Sequence, residues 1–448
     1  MTTFATPQPN VPGRGIIAAY SLRFWALVVG IGLATGLAAA AFIALLNGVE
    51  HLAWRRPASD FLAAIKAASP ARHVLVLLAA ALIAGAGALV LRRLRGSGGG
   101  EISEAIWLKG ARLDLIPSLA RGTMSIITVA MGASLGREAA PQLAGAAFAS
   151  EACERMPQIS AEQRRLLVAC GAGAGMAAVY NVPLGGALFA LEVLLGSLEL
   201  PLVIPALLMS TVATAVGWIV VPDRATYHVP AYSISAALMC WAVLVGPLAG
   251  IAAIAWVRLI TTVNRLRPRQ RGRVIVPIVV FTALGVLSIA YPQLLGNGKE
   301  VAQLAFVGRI SLGLLAVLFV LKPLVTSACL GSGSPGGLFT PTLAFGVLFG
   351  GLLGHLWGGL WPGTPAGSYA LIGGGAVLAA SMQGPLSASL LVIELTRSPG
   401  TLTVPLLLAA AGATIITRRH GAPSIYSARI ALADEPDTAD ARSVESPA

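Results

Sequence analysis

Charge is scarce in this sequence. Its 448 residues include 31 Lys and Arg and 19 Asp and Glu, together 11% of the chain. A soluble globular domain carries about 25%, so a soluble enzyme and a disordered scaffold are both excluded. Cysteine is scarce too. Cys153, Cys170, Cys240 and Cys329 lie far apart, each in or near an apolar run. No pair has metal or redox spacing, so buried reduced thiols are the expectation. The five histidines (His51, His73, His228, His355 and His420) are dispersed and give no metal site. There is no His-Glu-x-x-His motif, and Ser97 has no histidine near it in sequence, so an intramembrane enzyme ranks last among the readings. The net charge is +12, but the cations cluster between apolar runs. Membrane topology requires that pattern and nucleic-acid binding does not, so no nucleic-acid partner is expected.

Apolar residues fill the space that charge leaves: 56% of the chain is hydrophobic. A charge-free stretch runs from Phe24 to Val49. A signal peptide has an apolar core of roughly 7–15 residues, so this stretch reads as a first membrane helix. Further runs cover Val74–Leu91, Leu166–Leu191, Leu200–Val221, Ala236–Val257, Val274–Leu295 and Ser311–Leu321, and Pro323–Ile393 holds no Asp, Glu, Lys or Arg at all. A spanning helix needs ~20 apolar residues, so that last stretch holds several segments. With 51 Gly and 28 Pro, broken helices and irregular backbone at membrane depth are expected. The fold class is therefore an all-α polytopic membrane protein.

The chain also repeats itself. Asn181-x-Pro183-Leu184-x3-Leu188-x3-Glu192 recurs as Gln383-x-Pro385-Leu386-x3-Leu390-x3-Glu394, an offset of 202 (383 − 181). Gly171, Gly173, Ala177 and Ala178 match Gly373, Gly375, Ala379 and Ala380 at the same offset. Gly136-x4-Pro141-x-Leu143-Ala144 matches Gly336-x4-Pro341-x-Leu343-Ala344 at 200 (336 − 136). Two repeats follow, residues 20–222 and 236–430, flanked by a cytoplasmic tail (1–19) and a disordered tail (434–448), as in duplicated transporters. Arg265, Arg267, Arg269, Arg271 and Arg273 form a basic loop expected in the cytoplasm, while Arg14 and Arg23 place the chain's start on the same side. The two halves are thus inverted. One loop dissents, because Arg55, Arg56, Lys66 and Arg72 would then lie outside with only Asp60 to offset them.

Three Gly-rich segments stand where helices could begin: Gly96-Ser97-Gly98-Gly99-Gly100-Glu101, Gly136-Arg137-Glu138-Ala139-Ala140-Pro141, and Gly333-Ser334-Pro335-Gly336-Gly337-Leu338-Phe339-Thr340-Pro341. Any one alone reads equally well as a tight helix-packing turn. Three of them, set within a repeat, suggest converging helix N-termini. Their exposed N–H groups would hold a dehydrated anion without a full positive charge, weakly enough for it to leave. The first is not a Walker-type phosphate loop, because Glu101-Ile102 stands where Lys-Ser/Thr is required.

With Pro423-Ser424-Ile425-Tyr426-Ser427 added, these segments resemble, in order, the four pore segments of the CLC family of chloride channels and chloride/proton exchangers. The resemblance runs from Phe24 to about Ala428. It implies an inverted-repeat helical fold, a short form without C-terminal regulatory domains, and a homodimer in the bacterial inner membrane with one anion path per subunit. By that resemblance Ser97 and Tyr426 donate hydroxyls to a central chloride, beside Gly98 and the N–H groups of Leu338 and Phe339. Glu138 is the gate, and Arg137 and Ala139 border an outer anion site. Chloride, or another small anion, is the transported ligand, and no cofactor is implied. Without the resemblance Tyr426 reads as an interfacial aromatic and Ser97 as a helix N-cap.

Three departures matter. Gly99-Gly100 stands where the family usually has Ile-Pro, and Ala139-Ala140 stands where it has Gly-Pro, with Pro141 one place late. Val193 occupies the position at which proton-coupled members carry an internal glutamate. The expectation is therefore a glutamate-gated, voltage-gated-type chloride channel, with the chloride/proton antiporter as the alternative and another anion transporter behind both. Glu192 and Glu394 are repeat-equivalent and read as scaffold, capping neighbouring N–H groups. Lys322, flanked by apolar residues, has no role in this reading beyond adding positive potential.

Overall fold

The computed structural model describes residues 20–55, 60–94, 101–268, 272–397 and 400–429. Both tails, Arg56, the Gly96–Gly100 segment with Ser97 and Gly98, and Arg269 and Arg271 lie outside the described residues. Among the described residues there is no β-strand, and the elements fall into two similar series. The first comprises α1 (Leu22–Trp54), α2 (Phe61–Ala67), α3 (Pro70–Arg93), α4 (Ile102–Leu108), α5 (Leu115–Ala130), α6 (Ala139–Glu154), α7 (Ala161–Tyr180), α8 (Pro183–Leu188) and α9 (Leu200–Gly217). The second comprises α10 (Ala236–Arg265), α11 (Gly272–Ala290), α12 (Lys299–Phe306), α13 (Leu312–Gly331), α14 (Phe339–Leu360), α15 (Ala366–Met382), α16 (Pro385–Thr396) and α17 (Thr403–Arg419). Seven of these are long and apolar enough to cross a bilayer, namely α1, α3, α9, α10, α11, α13 and α14. Large apolar side chains such as Val243, Ile251, Val279 and Val320 stay exposed on their outer faces, as lipid contact permits. The protein is a multi-pass membrane protein of two inverted repeats.

Local chemistry explains why the two series match. Ser21 caps α1 by accepting from the Phe24 N–H, and Ser235 caps α10 by accepting from the Leu238 N–H. Gly36 of α1 lies against the Ala213 carbonyl of α9, and Gly250 of α10 lies against the Ala413 carbonyl of α17. Only small residues allow backbones to approach so closely. Both α7 and α15 end on a residue in the left-handed region, Asn181 at φ 57° and Gln383 at φ 55°. Each is followed by a proline that opens the next helix. The Ala- and Gly-rich helices are buried, α7 from Leu166 onward and α15 over nearly its whole length, so the polypeptide itself forms the centre of the molecule.

The helices are broken, as the glycine and proline content suggests. After α8 the chain widens into a π-helical stretch, Phe189–Leu195, and stops at Gly196. Helices α6 and α14 begin inside the protein rather than at a surface, since Glu138, Ala140, Phe339 and Thr340 are all buried. Pro141 falls on the third residue of α6, as Pro341 does on α14. N–H groups of a first turn have no intrahelical acceptor, so the late Pro141 costs no hydrogen bond.

Two isolated polar groups find structural partners. Lys322 is buried in α13, and its Nζ donates to the carbonyls of Leu294 (2.9 Å) and Gly296 (2.8 Å). It ties a turn to the helix. His73 bonds through Nδ1 to the Ser288 hydroxyl (2.8 Å) and through Nε2 to the Ile65 carbonyl (3.0 Å), joining α2, α3 and α11.

Candidate functional site

The two loops that precede α6 and α14 are fastened to each other. Gly136 N–H donates to the Gly337 carbonyl (2.7 Å), and Gly337 N–H donates to the Gly136 carbonyl (2.8 Å). This bridge brings two helix N-termini face to face from opposite halves of the chain. Partial positive charge gathers there. Glu138, the residue before α6, supplies the negative charge that answers it. Its side chain crosses to the other helix, where Oε1 accepts the Phe339 N–H (2.9 Å). Oε2 accepts the Tyr180 hydroxyl (2.9 Å) and, at 3.4 Å, the Thr340 hydroxyl. The Tyr180 and Thr340 hydroxyls are also bonded to each other. A Cβ on Gly136 or Gly337 would overlap the Glu138 carboxylate, so glycine is required at both positions for the side chain to seat here.

Two cavities lie on either side of this seat. The larger, about 540 Å³, is lined by Glu50 and His51 at the end of α1, by Arg137, Tyr180, Arg224 and Lys299, and by Glu300. It lies at the end of α1 remote from its start and beside the linker before α10. On the positive-inside expectation for the Arg265–Arg273 loop, this is the outer cavity. The smaller, about 60 Å³, is lined by Glu138, Ala139, Pro335, Gly336, Gly337, Leu338 and Tyr426, and by the ion pair of Glu101 and Arg121 at 3.0 Å. On the same expectation it is the inner cavity. Its walls also carry Ser125 and Gln142, whose Oγ and Nε2 are buried without hydrogen-bond partners among the described residues.

The structure thus gathers Glu138, Ala139, Leu338, Phe339 and Tyr426 around one point. Ser97 and Gly98 lie outside the described residues. Arg137 stands apart from the inner cavity, with its guanidinium 5.3 Å from the centre of the Tyr180 ring and its Nε without a hydrogen-bond partner among the described residues. Tyr426 sits in a turn before a 3₁₀ turn, Ser427–Arg429, with its ring edge-on to Phe189 at 5.4 Å. Val193 lies in the π-helical stretch, half-buried, with its Cγ2 beside Gly384.

Sequence reasoning missed Tyr180 and Thr340, both of which touch the gate candidate. Tyr180 had a legible signal, a polar residue inside the apolar run Leu166–Leu191 and next to the repeated Asn181. A second network surrounds its neighbour. Asn181 Nδ2 donates to Asp223 (2.9 Å), Arg397 pairs with the same carboxylate, and Trp218 donates to Asn181 Oδ1 (3.0 Å). Hydrogen bonds from Asn181 and then Arg397 hold Asp223 below the usual carboxylate range.

The comparisons agree with this architecture. Residues 76–418 match the family described as voltage gated chloride channel. A ClcB-like chloride channel protein of Ralstonia nicotianae is 34% identical over 417 residues, 90% of this chain and 95% of the relative. The voltage-gated ClC-type chloride channel ClcB of Citrobacter koseri is 31% identical, covering 88% of this chain and 96% of the relative. The H(+)/Cl(-) exchange transporter ClcA of the same organism is 29% identical over 314 residues, 68% and 66% of the two chains. Among solved structures, a slow cyanobacterial Cl-/H+ antiporter superposes with a TM-score of 0.79 at 22% identity, covering 93% of this chain and all of the other. That likeness is one of fold. A multi-pass protein with these bacterial relatives resides in the bacterial inner membrane. Family match, relatives and fold together establish that the chain belongs to the voltage-gated chloride channel, or CLC, family.

Proposed function

We propose that the protein carries chloride across the membrane through one path in each chain of a homodimer, with the Glu138 carboxylate as the gate. The observation that carries this reading is the seat of Glu138. The carboxylate rests on the first N–H of α14 and on uncharged hydroxyls, between an outer and an inner cavity. Donors that hold a carboxylate also hold a halide. Protonation removes the charge that the seat selects for and frees the place for an anion.

On the inner side Leu338 and Tyr426 border the cavity in which a chloride would wait, joined in this reading by Ser97 and Gly98. On the outer side Arg137 borders the approach, while Ala139, expected beside it, lines the inner cavity instead. Arg137, Arg224 and Lys299 outnumber Glu50 and Glu300 in the outer cavity, so its field favours anions. Arg55, Lys66 and Arg72, which dissent from the positive-inside pattern, fall on this outer side and add to that field.

The choice between channel and exchanger turns on the proton. Relatives named H(+)/Cl(-) exchange transporters favour proton-coupled exchange. The inner cavity supports it too, because Glu101 lines the same space as Glu138. The second reading, an uncoupled channel, rests on Val193 and on the relatives named as channels.

The test is the purified protein in liposomes under a chloride gradient, with chloride efflux and proton uptake recorded together. Acid-stimulated efflux that becomes pH-independent in Glu138→Gln is the expected result. Stoichiometric proton uptake, absent in Glu138→Ala, marks exchange, and chloride flux without protons marks the channel. Absence of chloride flux in the unmodified protein overturns the proposal.

A further inference from the structure

We propose that Tyr180 and Thr340 form a hydroxyl latch that holds the ionised Glu138 carboxylate shut and so sets the pH at which the path opens. The proposal rests on Glu138 being the gate. Its own evidence is the placement of two side chains that a seat built only from backbone would not need.

Both hydroxyls reach the same atom. Tyr180, the last residue of α7, donates to Oε2 at 2.9 Å, and Thr340, the second residue of α14, reaches it at 3.4 Å. Each hydroxyl has one proton to give. With the Tyr180 proton on the carboxylate, the Thr340 proton is left for Tyr180 Oη or for the carboxylate itself. All of these donors point toward negative charge, and donors directed at the charged form of a carboxyl favour that form. Protonated Glu138 has a proton of its own to place. A neutral carboxyl also accepts these donors more weakly than a carboxylate does, so protonation weakens the arrangement.

The latch is rigid. The Tyr180 ring packs against Phe339 with centroids 5.6 Å apart, carries the Arg137 guanidinium on its face, and precedes the left-handed Asn181 cap. Tyr180 and Thr340 are buried with Glu138, at 3%, 1% and 1% exposure, so water does not compete for the bonds. The titratable and charged groups around Glu138 are Arg137 on its own loop, Tyr180 from α7 and Tyr227 from the linker before α10. Across the inner cavity stand the Glu101–Arg121 pair and Tyr426.

The alternative is that the Tyr180 hydroxyl merely satisfies Thr340, with the carboxylate incidental. Tyr180→Phe separates the two, because it keeps the ring and removes only the oxygen. Chloride efflux from liposomes is measured from pH 4.5 to 8 for the unmodified protein, Tyr180→Phe, Thr340→Val, Glu138→Gln, and Tyr180→Phe in the Glu138→Gln background. A lost hydrogen bond to a charged group corresponds to about one pH unit or somewhat more. Tyr180→Phe should therefore move the midpoint of acid activation up by about one unit. Thr340→Val should move it the same way by less, since its bond is longer. In the Glu138→Gln background Tyr180→Phe should change nothing, and any pH dependence left there reports on the surrounding groups. An unmoved profile in Tyr180→Phe and Thr340→Val, with Glu138→Gln still pH-independent, overturns the latch and leaves the gate standing. A Glu138→Gln profile as steep as that of the unmodified protein overturns the gate, and the latch with it.

Discussion

Glu192 accepts both the backbone N–H and the hydroxyl of Ser387, each at 2.6 Å, so a carboxylate of the first repeat caps the helix that opens the second repeat's matching segment. Its Oε1 also takes the Leu386 N–H at 3.2 Å. The relation is returned. Glu394 accepts the N–H groups of Leu184 (3.1 Å) and Gly185 (2.6 Å) at the start of α8. Each repeat thus satisfies orphan donors of the other, and α8 and α16 are held side by side. Removing a carboxylate leaves charge-assisted bonds unmade, at about 1.5–3 kcal/mol each. Glu192→Ala and Glu394→Ala should both lower the melting temperature in detergent, Glu192→Ala by more, because it loses an extra hydroxyl donor. Chloride flux per folded protein should survive in both. Unchanged melting with abolished flux would assign these residues to the pathway instead.

These caps were legible in the sequence because the repeat placed Glu192 and Glu394 at equal offsets, and two active-site acids are seldom duplicated so evenly. The start of α6 at Ala139 and of α14 at Phe339 was legible from glycine and proline. The match between α1 and α10 was not. Their caps are offset by 214 (235 − 21) rather than by 200 or 202, and apolar residues interchange so freely on a lipid-facing helix that no block of identities survives. The pairing of Gly136 with Gly337 was hidden for another reason. A backbone bridge needs no particular side chain, so only folding reveals it. Tyr180 was overlooked because its repeat partner is the apolar Met382. A search for matched positions passes over the place where the halves differ, and here that place faces the gate.

The topology makes a separate claim. With α1 starting and α10 ending on the cytoplasmic side, Leu266 lies inside and Arg224 outside. Leu266 is 74% exposed in the turn after α10, and Arg224 is exposed in the linker before it. In a background with the four native cysteines replaced, a membrane-impermeant maleimide should label Arg224→Cys on intact cells. It should label Leu266→Cys only after permeabilisation. External labelling at Leu266 would invert the assignment of the two cavities.

Asp223 supplies a pH control. Bonds from Asn181 and Arg397 lower its folded-state value, so its contribution to stability is fully present above the unfolded carboxylate value of about 3.9. That contribution is lost only as the pH falls through the still lower folded value. Across pH 5–8 Asp223 therefore stays ionised. Asp223→Asn should leave the pH profile of chloride efflux in that window unmoved, while destabilising the end of α7 through Asn181. A displaced profile would mean that the outer network, rather than Glu138, senses the proton.

The gate has a steric requirement that can be tested without touching its charge. A methyl group added at Gly337 would meet the Oε1, Cδ and Cγ atoms of Glu138, and one at Gly136 would meet only the carboxylate. Neither glycine has a positive φ, so alanine is tolerated by the backbone and the Gly136–Gly337 bridge can persist. The carboxylate is then the part that must move. Gly136→Ala and Gly337→Ala should both raise chloride efflux at pH 7.5, where the unmodified protein is held shut. The rise should be absent when Glu138→Ala is combined with either, because no carboxylate remains to be displaced. Had the glycines served only to let α6 and α14 approach, both alanines would lower flux, and they would do so equally in the Glu138→Ala background. The sign of the single variants and the silence of the double variants therefore decide between a seat shaped for Glu138 and simple helix packing.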